Sequence, residues 1–218
     1  QLWNLLSNSL STKVTKNNFR SIFRQYQKQQ TTSKINPIKT KNDFDSGSRE
    51  LEIPEGSVPL DSPLYIERHP IEEQCYYEIL KPGSIILLKG ASKLGKSSLK
   101  NRIIAQCKRH NYQTVQLNFE QADKSVFKDV NLFLRWFCAN ISRQLQISPC
   151  LDNYWNTDIG GKISTTAYFE EYLLKKISAP LVIALDEVNQ MFEYPEISND
   201  FLPLLRSWHE DGKELEIW

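Results

Sequence analysis

The chain has 218 residues, enough for one sizeable core or one domain with a small appendage, and a tight fit for two full domains. Its 40% hydrophobic and 24% charged residues, with five Trp, nine Tyr and ten Phe, exclude a disordered chain. The net charge of +1 is unevenly spread: Gln1 to Asn42 holds eight Lys or Arg and no Asp or Glu, leaving −7 for the remainder, with 19 basic against 26 acidic residues. Such a basic arm attracts phosphate backbones by counterion release, so DNA is a candidate partner for that segment, the alternative being a solvated helix face and linker. No apolar stretch approaches the roughly 18 residues that span a bilayer, and the first residues lack the basic-then-apolar pattern of a signal peptide. A soluble, cytoplasmic protein without a membrane partner is expected. Cys75, Cys107, Cys138 and Cys150 lack Cys-x-x-Cys spacing and sit in apolar periodic segments, which reads as reduced packing residues.

Leu2 to Leu10 carries a helical apolar pattern, and Thr15 caps a second helix to about Gln29, in which Phe19, Ile22, Phe23 and Tyr26 form one stripe. Gln1 stands inside the first pattern, so that helix is expected to begin upstream, and residues 1–29 read as a partial all-α segment. Residues 30–57 are polar, with Pro37 and Pro54, and read as a linker. Order resumes at residue 58. Leu64 to Ile66 is a short extended run, and Pro70 suits the first turn of a helix with Ile71, Cys75 and Ile79 on one face. Ser84 to Leu88 predicts a strand buried on both faces, Thr114 to Phe119 an alternating strand, and Leu181 to Leu185 an apolar strand stopping at Asp186. Helical patterns fill the intervals at Ser98–His110, Asp129–Gln146 and Thr165–Ile177, followed by a last helix from about Asn199 to Glu210. Glu214 to Trp218 is expected to begin one more strand. The alternation predicts an α/β fold with a parallel sheet covered by helices and ligands at the carboxyl ends of the strands.

At the end of the first strand lies Gly90-Ala91-Ser92-Lys93-Leu94-Gly95-Lys96-Ser97, which satisfies G-x-x-x-x-G-K-[ST] and opens a helix, the context a P-loop (Walker A) requires. Glycines let backbone N–H groups curl toward a polyphosphate, the helix adds its positive end, Lys96 lies against the β- and γ-phosphates, and Ser97 offers its hydroxyl to Mg²⁺. The nucleotide-binding set is Gly90, Lys93, Leu94, Gly95, Lys96, Ser97 and Ser98. Asp186 at the end of a buried strand, as in a Walker B strand, is the second magnesium ligand, and Glu187 is the candidate catalytic base. Tyr65, Ile66 and Arg68 either fold over the nucleotide or belong to an ordinary strand leading into the domain. Arg206 either reaches a neighbouring subunit's phosphate or pairs on its own helix. His69, His110 and His209 lack metal-ligand spacing.

With these residues in place, the stretch from about Val58 to Trp218 resembles the bacterial, largely cyanobacterial, AAA-like ATPase domain. The likeness rests on "VPLDSPLYIERHPIEEQCYYEIL", "LFLRWFCANISRQL", "LVIALDEVNQMFEYPEI" and "FLPLLRSWHE". It implies a P-loop NTPase three-layer sandwich of AAA/STAND-like type, with ATP and Mg²⁺ as cofactors and Tyr65 to Arg68 at the adenine. The segment "QLWNLLSNSLSTKVTKNNFRSIFRQY" looks like the carboxyl-terminal part of a helix-turn-helix domain of conflict or signalling systems, which gives the basic arm a reason. The family continues past "ELEIW" into a strand carrying the γ-phosphate sensor, and then a lid. The resemblance therefore implies a sheet truncated at the C-terminus, an aggregation-prone fragment with little ATPase activity, and ATP binding in a longer parent. The resulting expectation is a nucleotide-dependent signalling switch that communicates with oligomerisation partners or effector domains. The alternatives are a DNA-binding regulator with a structural nucleotide site, or an interaction scaffold.

Overall fold

The computed structural model describes residues 56–214. The predicted helices within residues 1–29, nearly all of the linker and the last four residues of the C-terminal strand lie outside the described residues; Glu214 is in a turn.

The sheet is a parallel pair, β1 (Gln113–Asn118) and β2 (Leu181–Asp186), in register from Gln113 opposite Leu181 to Asn118 opposite Asp186. Alternation in β1 buries Val115 and Leu117, and Phe119 continues the series into a short 3-10 turn. Among the described residues, five helices of eight or more residues accompany this pair. They are α1 (Ile71–Glu78), α2 (Lys96–Arg109), α3 (Val130–Gln144), α4 (Gly161–Tyr168) and α5 (Pro195–Asp211). α4 runs on through a π-helical turn, Phe169–Leu173, into a last turn at Leu174–Lys176. Asp129 caps α3 by accepting the Leu132 N–H at 2.8 Å. At the other end of α3 the Gln144 amide bonds both the N–H and the carbonyl of Gln116, so a side chain satisfies part of the outer edge of β1.

Two apolar clusters hold the helices. The larger joins Val115, Leu117 and Phe119 to α3, α4 and α5, with Leu181, Ile183 and Leu185 at its margin. Its centre is aromatic: Phe133 meets Phe119 edge-on at 5.5 Å and Phe201 at 5.0 Å, and Phe137 meets Phe201 at 5.1 Å. The smaller cluster packs Leu99, Ile103 and Cys107 of α2 against Cys75, Tyr76 and Ile79 of α1, with Leu88 and Val182. Odd positions of β2 thus face the first cluster and Val182 the second, as the period of a strand requires. All four cysteines are free; Cys107 and Cys138 are buried, and burial pushes both thiols up.

Three expectations need correction. Ser84–Leu88 forms no ladder among the described residues, and Ile85 and Leu87 stay 51% and 72% exposed. An apolar run becomes a doubly buried strand only between two hydrogen-bonded neighbours, and no described strand lies beside this one. In α1 the buried face excludes Ile71 and contains Glu72, because Tyr65, Arg68 and Tyr76 supply hydrogen bonds to its carboxylate. Finally, α4 and α5 each start four residues early, at Gly161 and at Pro195, where proline suits a first helical position.

Candidate functional site

The loop from Gly90 to Gly95 leads directly into α2. Lys93 (φ 61°) and Gly95 (φ 77°) both lie in the left-handed region, a conformation that recurs where successive backbone N–H groups form anion-binding turns. Only Gly95 is demanded by its backbone. A Cβ on Gly90 would meet nothing nearer than Leu94 Cδ1 at 3.5 Å, an ordinary contact. Gly95 caps α2 without a side-chain hydrogen bond, and the first turn contains no acidic residue, so the positive helix end is left uncompensated. The Lys96 ammonium folds back and donates to the Ala91 carbonyl at 2.9 Å, while Ser97 is exposed next to it.

A second layer anchors the segment before α1 to this loop. Ser98 is buried, and its hydroxyl accepts the Val58 N–H at 2.9 Å. Arg102 donates to the carbonyls of Val58 (3.1 Å) and Pro59 (2.8 Å), and its guanidinium lies 3.3 Å from the centre of the Tyr65 ring. Arg68 donates to the Leu94 carbonyl at 3.0 Å and pairs with Glu72 at 3.1 Å. Glu72, 1% exposed, also accepts the Tyr65 hydroxyl at 2.6 Å and the Arg68 N–H at 3.2 Å. Burial alone would raise its pKa; the hydrogen bonds from Tyr65 and Arg68 outweigh it and hold the carboxyl below the usual range. Burial, then the charge of Glu72, pushes the Tyr76 phenol up to about 12. Of the three residues expected at the adenine, Arg68 reaches the loop backbone, Tyr65 is held between Arg102 and Glu72, and Ile66 projects outward, 82% exposed.

Across from α2, Asp186 ends β2 with both oxygens engaged. Oδ2 accepts Lys100 Nζ at 2.5 Å and Oδ1 accepts the Glu187 N–H at 3.2 Å. Glu187 is exposed and left-handed (φ 51°, ψ 39°), a strained conformation for a residue with a Cβ. Asn118, in register with Asp186, turns its side chain to the Glu120 N–H. Arg206 pairs with Glu210 one turn along its own helix, the plain reading of that residue. His209 hydrogen-bonds the Gly83 carbonyl, His69 lies between Glu67 and Glu73, and no metal-type cluster of His, Cys, Asp and Glu occurs among the described residues. Sequence reasoning missed Lys100, Arg102 and Glu72. Lys100 carries the one readable signal, since it falls one turn after Lys96 on the same helix face.

The donor set suits a magnesium nucleotide. A curled, acid-free backbone with an ammonium is matched to phosphate oxygens, and Asp186 already holds a cation in the form of Lys100. An α/β domain with such a loop at a helix start and a carboxylate at the end of a parallel strand is of the nucleotide-binding NTPase type. The family profile of the AAA-like domain matches residues 53–218, and the chain belongs to that family. No curated protein and no solved structure matches it.

Proposed function

We propose that this domain binds ATP with Mg²⁺ and works as a nucleotide-dependent signalling switch of the P-loop, AAA/STAND-like sandwich type, with slow hydrolysis in a longer parent chain. The observation that supports this best is the pair of left-handed turns at Lys93 and Gly95, which open into a helix start free of acidic residues. Gly90, Lys93, Leu94 and Gly95 cradle the phosphates through their backbone, joined by the N–H groups of Ser97 and Ser98. Lys96 exchanges the Ala91 carbonyl for a phosphate oxygen. Ser97 and Asp186 hold the cation, which when bound offsets phosphate charge. Glu187, projecting beside Asp186, orients or deprotonates a water. Arg68 links the adenine side to the loop through Leu94, with Tyr65 and Ile66 flanking the base. Switching follows from differential binding: the nucleotide stabilises whichever domain arrangement keeps these groups together, and hydrolysis releases it.

The test is titration of the full chain with a fluorescent ATP analogue in Mg²⁺. Saturable binding that is abolished by Lys96→Ala and weakened by Asp186→Asn is expected. Binding unchanged in Lys96→Ala, or none by the folded wild type, refutes the reading.

A further inference from the structure

Among the ion pairs of the described residues, three join residues more than four positions apart: Lys100 with Asp186, Arg135 with Asp152, and Lys162 with Asp200. Only the first has both side chains at one third exposure or less, 20% for Lys100 and 33% for Asp186. It spans 86 residues of sequence and connects the first turns of α2 to the carboxyl end of β2. The Lys100 ammonium thus sits on the oxygen where a divalent cation would be held, and the remaining oxygen is bonded to the backbone of Glu187. A carboxylate cannot give the same oxygen fully to an ammonium and to a divalent ion, because the two cations repel at that separation.

We propose that Lys100 is a resident counter-cation of Asp186: it neutralises the carboxylate while the site is free of metal, and its ammonium must leave before a divalent cation binds. The inference rests on the proposed site only in taking Asp186 as the cation ligand. Lys100 therefore sets the cation concentration at which the site fills. It also keeps β2 fixed to α2 until then, so arrival of the divalent ion loosens one contact as it makes another. The displaced ammonium remains on the helix face of Lys96, one turn away.

Mn²⁺ alone, titrated into the full chain and followed by electron paramagnetic resonance, tests this without nucleotide. Lys100→Met, which keeps the aliphatic stem, should lower the half-saturating Mn²⁺ concentration by about fivefold, the factor that corresponds to an ion pair of about 1 kcal/mol. Lys100→Arg should retain the wild-type value. An unchanged value in folded Lys100→Met, or no Mn²⁺ binding by any form, overturns the proposal. A second measurement needs no variant. Acetylation of Lys100 in the wild type, read by mass spectrometry, should accelerate when Mn²⁺ is added; a rate that does not move, with Mn²⁺ bound, overturns it equally. Failure of nucleotide binding with the Mn²⁺ shift intact would refute the ATP reading and support the role of Lys100.

Discussion

Removing the Glu72 carboxylate tests whether a buried acid anchors the segment that reaches the glycine loop. Its Oε1 accepts from the Tyr65 hydroxyl, the Arg68 N–H and Arg68 Nε, and its Oε2 from the Tyr76 hydroxyl at 3.4 Å. Hydrogen bonds to a charged group contribute about 1.5–3 kcal/mol each, but Arg68 is 42% exposed and can return to water, so its share is small. The Tyr65 bond and the stranded Arg68 N–H dominate, and Glu72→Ala should cost about 3 kcal/mol, or roughly 6–12 °C in Tm for a domain of this size. Glu72→Gln keeps an acceptor at Oε1 and should cost about half as much. Urea and thermal unfolding of the full chain, followed by circular dichroism, give both values. The pH dependence has a definite sign. A carboxyl held below its ordinary 4.5 contributes stability that is fully present above that value and disappears as the pH falls through the lower folded value. The gap between wild type and Glu72→Ala should therefore be constant near neutrality and close in acid. A Glu72→Ala variant within about 0.5 kcal/mol of wild type, or a gap that does not narrow in acid, refutes the reasoning, since surface substitutions ordinarily fall in that range.

The two motif glycines should separate: Gly95→Ala, forced to a positive φ, should lose about 1–2 kcal/mol and weaken analogue binding, whereas Gly90→Ala should cost well under 1 kcal/mol in the same urea titration. Gly212→Ala places a methyl group directly against the Gly83 backbone, where α5 meets the turn before residues 84–88, and should destabilise by about 1–3 kcal/mol. Glu187→Gly relieves a left-handed backbone at the proposed base, so it should leave stability equal or raise it by up to about 1 kcal/mol. A urea midpoint that falls in that variant would show the strain argument to be mistaken.

Local periodicity made β1 and the helices α2 to α5 readable, because each has one face committed to a core and the other toward water, whereas β2, packed on both faces, was readable as an uninterrupted apolar run. The turn at Gly95 and the helix that opens at Lys96 were readable from spacing, since both are built by neighbouring residues. Residues 84–88 were misread for a physical reason: their apolar side chains state a preference for burial, and only a hydrogen-bonded neighbour on each side fulfils it. Glu72 defeated the pattern of α1 because its partners Tyr65 and Arg68 lie in the preceding turn, outside any helical period. Lys100 and Asp186 stand 86 residues apart; the spacing from Lys96 places Lys100 on the same face of α2, but its pairing with Asp186 is a tertiary contact that no local pattern carries. The π-helical turn at Phe169–Leu173 likewise has no turn or breaker residue to mark it.

Every rung of the β1–β2 ladder joins residues 68 positions apart, and the intervening chain contains α3 and α4. Closing a loop of that length costs about 4 kcal/mol before any rung forms. On a ribosome, β1 leaves the exit tunnel long before its mate exists, with Val115 and Leu117 uncovered. Synthesis speed through the 119–180 stretch thus decides how long that strand waits alone, and slow codons there would give chaperones, or other unfinished chains, the time to find it.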